Sequence, residues 1–155
     1  MASARPGINL WYNTRMDITP VVREIVLPEH GDDRGTLIAL ESLSEIVPFE
    51  VRRVYYSFDT QPGCVRGNHA HRDLRQLVVC VSGAFTFVCE MPDGTRTEHR
   101  MDWPNKALLI EGMVWREIRD FSKDSVMLVL ASDHYNEADY IRDHDEFLRQ
   151  VGRAP

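Results

Sequence analysis

What most narrows the fold of this chain is its punctuation: short runs of β-branched and aromatic residues recur along it, each closed off by Gly, Pro, Asp or Asn. Branched and aromatic side chains suit a pleated, half-buried surface, and the bounding residues suit tight turns. The pattern predicts strands near 22–27, 36–41, 52–58, 65–71, 76–81, 84–90, 95–101, 107–110, 115–121 and 125–132. Ser82-Gly83 and Pro92-Asp93-Gly94 are turn signals, the second that of a hairpin. Helical spacing is confined to the C-terminal end, where Asp143 opens an acidic turn and Phe147, Leu148 and Val151 share a face. An antiparallel sandwich or barrel capped by a short helix follows. The 155 residues suffice for a buried core without disulfide staples, so 1–155 reads as a single domain, with residues 1–20 a loosely ordered lead-in.

Within this frame one segment carries chemistry. Gly63-Cys-Val-Arg-Gly-Asn-His69-Ala-His71-Arg-Asp-Leu-Arg-Gln76, followed by Gly83, has the spacing G-x5-H-x-H-x4-E-x6-G of a cupin metal motif, with Gln in the Glu position. Residues i and i+2 of a strand share a face, so His69 and His71 project together into one cavity. A metal would need at least a third ligand. The second half of the cupin signature, P-x-G-x-x-H, falls at Ile110-Glu-Gly112-Met-Val-Trp115, where an indole replaces the imidazole. With two of four ligands replaced, no metal is expected. Unmetallated imidazoles titrate near neutrality and suit acid–base work.

Composition removes other classes. With 18 Lys and Arg against 24 Asp and Glu, a net charge of -6 argues against coating nucleic acid, though a local basic pocket for one phosphate ligand remains open. Cys64, Cys80 and Cys89 form an odd set without C-x-x-C spacing, which fits a reducing cytoplasm. The N-terminal stretch lacks an apolar h-region and no run reaches the length of a membrane span, so the chain is expected to be soluble and unprocessed.

Beyond the His pair, Asp33-Arg-Gly35-x-Leu37, Glu41, Val47-Pro-Phe49, Arg53-Val-Tyr-Tyr56, Arg66-Gly67, Gln76, Trp115, Leu130-Ala-Ser132, Tyr135 and Asp139-Tyr-Ile-Arg142 together resemble the dTDP-sugar 3,4-ketoisomerase family of small, WxcM-like cupins. The resemblance runs from about Ile25 to Phe147. It implies an all-β cupin jelly roll, a homodimer with exchanged N-terminal strands, and a nucleotide-linked 4-keto-6-deoxyhexose as substrate, with neither metal nor other cofactor. It also implies a cytoplasmic supply route to deoxyamino sugars.

Moving a ketone from C4 to C3 requires a proton to leave C3, an enediol to form, and a proton to return to C4. By resemblance, His71 is the carbon base, and His69 assists at an oxygen or orients the sugar. A Tyr hydroxyl suits the oxygen protons. Tyr55 and Tyr56 precede the motif on one strand, on opposite faces, and Tyr56 is taken as the inward one. Arg66 is the candidate diphosphate clamp, provided a bulge at Gly67 turns it to the His69 side. Gln76 is read as binding a sugar hydroxyl or orienting a His. Trp115 either stacks on thymine or fills the core. Tyr55 and Arg72, beside the second His, complete the substrate-binding set. In the tail, Asp139 is expected to pair with Arg142, and Tyr140 and Ile141 to pin the last strand to the helix. C3 or C5 epimerisation begins with the same proton abstraction, but such cupins pair the base His with an Asp; none in the motif is placed to face His69 or His71, although Asp73 and Asp102 could approach through folding.

Overall fold

The computed structural model describes residues 18–155, so most of the expected lead-in, and with it any exchange of strands before residue 18, lies outside the described residues. In chain order the elements are β1 (Val21–Val26), β2 (His30–Asp32), β3 (Gly35–Leu37), β4 (Arg53–Ser57), β5 (Arg66–His71), β6 (Arg75–Ser82), β7 (Phe85–Glu90), β8 (Arg96–Met101), β9 (Lys106–Glu111), β10 (Trp115–Arg119), β11 (Val126–Ala131), a 3-10 turn (Glu137–Asp139), β12 (Tyr140–Ile141) and α1 (His144–Gln150). Two five-stranded sheets, β1-β9-β6-β11-β4 and β12-β5-β10-β7-β8, are antiparallel throughout. They pack face to face as the expected all-β jelly roll. α1 starts where the sequence places it, with the Asp143 carboxylate accepting the Glu146 N–H at 2.7 Å.

The central strands are apolar on both faces, and each face has its own cover. Between the sheets lie Val78 and Cys80 of β6, Phe85, Phe87 and Cys89 of β7, Leu108 and Ile110 of β9, Ile118 of β10 and Val129 of β11. On the outside of the first sheet, Leu77, Val79, Ala107, Leu109 and Leu130 pack beneath Val47 and Phe49. On the outside of the second, Ala70 and Trp115 pack beneath Ile141, Phe147 and Leu148. This three-layered burial explains one departure from expectation and, of the two readings of Trp115, fits the core one. Residues 38–41, predicted to extend a strand, form none; only Gly35–Leu37 pairs, with His30–Asp32, and the following segment contributes Ile38 and Leu40 to the outer cover. Trp115 faces the helix and not the cavity, with its ring 5.8 Å from Phe147 and 4.9 Å from His144. Its neighbour Arg116 takes the inward position.

The Tyr pair is likewise reversed. Directly opposed residues on paired strands share a face. Tyr55 opposes Val129, whose side chain lies in the core, whereas Tyr56 opposes the outward Leu128. Tyr56 is therefore 64 % exposed on the outer face of β4, against Phe58.

The expected bulge is present. Opposite β10, Arg116 pairs with His69, Glu117 with Gly67 and Ile118 with Arg66, so Asn68 is left over. Gly67 (φ 82°) and Asn68 (φ 52°) take up the extra residue in the left-handed region. The parity of the strand shifts there, and Arg66 comes to the same side as His69. A Cβ on Gly67 would stand 2.9 Å from the Arg116 carbonyl oxygen. Gly67→Ala is expected to lose about 1–3 kcal/mol through this contact and the positive φ. Thermal unfolding several degrees below wild type is the expected readout; an unchanged midpoint contradicts the strain argument.

Candidate active site

At one end of the barrel the inner faces turn polar. His69 lines a cleft of about 530 Å³ together with Tyr55, Arg66, Tyr140 and Arg142. His71 sits deeper, 1 % exposed, beside a smaller polar cavity of about 90 Å³. Arg53 and Tyr140 line both, so the two are adjoining parts of one site. The imidazoles lie edge to face with centroids 4.8 Å apart, and the Tyr140 ring rests on both, 5.0 Å from His69 and 4.3 Å from His71.

Hydrogen bonds set the tautomer of each ring. His69 Nδ1 lies 3.0 Å from the Gly67 carbonyl oxygen, and His71 Nδ1 lies 2.7 Å from Asp139 Oδ2. A carbonyl or carboxylate only accepts, so Nδ1 carries the proton in both rings and Nε2 is the basic nitrogen. Burial lowers the pKa of both. His69 falls to about 3, with Arg116 and His71 adding repulsion. His71 falls to about 4, burial and the Arg116 charge outweighing the support of Asp139. Burial alone would raise the Asp139 pKa, but the His71 hydrogen bond and the backbone N–H groups of Asp73 and Arg72 outweigh it and hold the carboxyl below its ordinary range. The pair is thus a neutral imidazole on a carboxylate.

Asp139 is the member of this cluster that the sequence reading did not place here, since it expected a pair with Arg142. Arg142 pairs instead with Glu137, Nε to Oε1 at 2.8 Å, and lies over the Tyr140 ring. Pairing of Tyr140 with His71 and of Ile141 with Ala70 carries Asp139 to the motif strand. Ile141 packs under α1 as anticipated, but Tyr140 faces the imidazoles. Asp139-Tyr-Ile-Arg142 was the signal available, and its target 68 residues away is visible only in three dimensions.

The other candidates divide. Gln76 points inward, 3 % exposed, and its Nε2 donates to the Tyr55 hydroxyl at 2.7 Å. Arg66 reaches the cleft and also donates to Thr60 Oγ1 at 3.3 Å. Arg72 is turned away: its Nε donates to the Ala138 carbonyl and its Nη1 to Gln150, fastening the tail and α1 to the end of β5. Arg116, unforeseen, lies buried at the level of the imidazoles. Among the described residues, no group of three or more His, Cys, Asp or Glu side chains converges as a metal site. None of their helices is long and apolar enough to cross a membrane.

A family model described as WxcM-like, C-terminal (FdtA) matches residues 21–152. The chain belongs to this family. It is similar to an Aneurinibacillus thermoaerophilus protein named TDP-4-oxo-6-deoxy-alpha-D-glucose-3,4-oxoisomerase, at 42% identity over 79% of this chain and 86% of the relative. Its fold matches that of a 3,4-ketoisomerase from Helicobacter canadensis, with TM-score 0.80 and 44% identity over 84% of this chain and 96% of the other. It matches equally, at TM-score 0.80 and 33% identity, a His-to-Asn variant of the 3,4-ketoisomerase QdtA from Thermoanaerobacterium thermosaccharolyticum in complex with TDP-4-keto-6-deoxyglucose, covering 84% of this chain and 93% of that one.

The buried imidazoles also make stability depend on pH. Their folded pKa values of about 3 and about 4 lie below the ordinary 6.5, so between these limits the unfolded chain binds protons that the folded chain refuses. This contribution is complete above about pH 6.5 and is lost as pH falls through the window. The melting temperature of the wild type should therefore drop further between pH 7 and pH 5 than that of a His69→Gln, His71→Gln double variant. Parallel curves would count against neutral burial.

Proposed function

We propose that this protein is a 3,4-ketoisomerase that moves the keto group of a TDP-linked 4-keto-6-deoxyhexose from C4 to C3. The observation that carries this reading is the His71–Asp139 pair set beside His69 at the floor of a cleft, in a chain of this family. His71 Nε2 takes the proton from C3; the C–H electrons form the C3=C4 bond and the C4 carbonyl becomes the enediolate oxygen. O4 gains a proton, O3 gives one up, and His71 returns its proton to C4. His69 and Tyr55 are within the site to exchange the oxygen protons. The sum is an isomerisation, so no redox cofactor is consumed. Asp139 holds the His71 tautomer and supports the imidazolium formed in the first step.

Arg66 and Arg142 are the groups for the diphosphate, because planar guanidinium matches phosphate oxygens in pairs. Arg53, over the Tyr55 ring at 5.3 Å, adds positive potential at the mouth. The active unit is a homodimer, a reading supported by the apolar outer face of the first sheet, where Val54, Tyr56 and Val81 are exposed. The place of action is the cytoplasm, consistent with three free cysteines.

A second reading is favoured by the same pair: an Asp-supported His also serves C3 or C5 epimerisation of this ketosugar. One experiment separates them. Incubated with TDP-4-keto-6-deoxyglucose in deuterated water, the protein should yield a 3-keto product, read by proton NMR, with protium at C4 where His71 hands back the C3 hydrogen directly and deuterium where its imidazolium exchanges first. Exchange at C5, or an inverted centre with the 4-ketone retained, makes it an epimerase; no 3-keto product, no inversion and no exchange together remove both readings. His71→Gln should lose roughly 10²- to 10⁴-fold in kcat. Asp139→Asn should lose a similar factor with KM within a few-fold of wild type, since it disturbs the base and not the sugar contacts. An Asp139→Asn enzyme with full kcat contradicts the pairing role.

A further inference from the structure

Arg116 is among the largest fully buried side chains, 2 % exposed. Its partners are neutral: Nη2 and Nε donate to the Val114 carbonyl at 3.1 and 3.4 Å, and Nη1 donates to Gln76 Oε1. A guanidinium is donor-only, so the Gln76 atom facing it must be the carbonyl oxygen. That contact fixes the amide orientation and commits Nε2 to the other side, where it donates to the Tyr55 hydroxyl at 2.7 Å. The lone pair of Tyr55 is thereby used, and its own proton is left to point elsewhere. Tyr55 lines the cleft that His69 lines.

We infer that Arg116, Gln76 and Tyr55 form a polarised hydrogen-bond relay that aims the Tyr55 proton at the sugar oxygen carrying the enediolate charge. Tyr55 is the catalytic residue of the three, and Gln76 and Arg116 are positioning residues. The inference rests on the isomerase reading and deepens it. It also gives Gln76 a reason to be an amide. A carboxylate there has no proton to donate: it would accept a hydrogen bond from the Tyr55 hydroxyl and pair with Arg116, so Tyr55 would turn from donor to the sugar into donor to the barrel wall. Each link is a donor facing an acceptor, and the cation at its root strengthens the bonds that follow it. The other charged or titratable groups around the relay are Arg53 on β4, His69 and His71 on β5, Cys89 on β7, and Asp139 and Tyr140 in the tail. The Tyr55 pKa is raised, by burial first, so the hydroxyl keeps its proton for donation at neutral pH.

The test is a double-mutant cycle on TDP-4-keto-6-deoxyglucose turnover, with the wild type assayed first. Tyr55→Phe and Gln76→Glu should each lower kcat about 10²-fold, the size of one lost oxyanion donor. KM should stay within a few-fold and the melting temperature of Gln76→Glu should not fall, because Glu still packs and pairs with Arg116. The double variant should be no slower than Tyr55→Phe alone. Arg116→Lys should recover part of the kcat lost by Arg116→Met. Losses that multiply in the double variant, or a Gln76→Glu enzyme within threefold of wild type, overturn the relay while leaving the isomerase intact. A wild type without turnover overturns the isomerase reading, and the relay with it.

Discussion

The Asp139 carboxylate is the knot on which the functional end of the barrel depends. Its Oδ2 receives the His71 Nδ1 proton, and its Oδ1 receives the backbone N–H groups of Arg72 and Asp73 at 3.2 and 2.9 Å. The Asp139 carbonyl takes a second bond from the Arg72 N–H, at 3.0 Å. One side chain thus closes the turn after the motif strand, fixes the tautomer of the deeper imidazole, and docks the tail. The rest of the tail follows from this anchor. β12 pairs with the end of β5, Tyr140 falls on the imidazoles, Ile141 falls on the opposite face, and α1 settles over Ala70 and Trp115. An ionised group in such surroundings is tolerated because its lone pairs are occupied by donors.

Much of the architecture could be read from punctuation, because turn residues and branched runs act locally. The strands near the motif, the hairpin at Pro92-Asp93-Gly94, the helix cap at Asp143 and the bulge at Gly67 all follow from residues within a few positions of one another. Face assignment was a different matter. Alternation says that Tyr55 and Tyr56 part company but not which goes in; that depends on the register of β11, whose Val129 opposes Tyr55. Trp115 and Arg116 present the same ambiguity in a harder form, since hydrophobicity would bury the indole between the sheets. Here the outer face of the second sheet is itself buried by α1, so the Trp has an apolar home outside and the Arg is left inside. Asp139 could not be placed because its partner is set by tertiary pairing alone.

Charge is distributed unevenly over the molecule. The chain carries a net -6, yet its cleft presents Arg53, Arg66 and Arg142, with Arg116 buried behind. A negative surface with a positive cleft favours a small polyanion over a nucleic acid: the first fits wholly within the basic zone, the second must also lie along acidic surface. Burial first, and the same positive field after it, keeps the imidazoles unprotonated, which a base requires.

Gln76 joins these threads. In a metal-binding jelly roll, two imidazoles and a carboxylate gather around a cation that the solvent supplies. In this barrel the cation is covalently part of the chain: Arg116 lies across the cavity wall opposite His69, and the residue in the carboxylate position must hold it without cancelling it. A carboxylate would satisfy the guanidinium so fully that its charge would be spent within the barrel. An amide binds through its oxygen, keeps a donor in hand on its nitrogen, and passes the polarisation on to a phenol that faces the cleft. The substitution that removes a metal ligand therefore also creates the one hydrogen-bond polarity in which a buried arginine strengthens proton donation at the site.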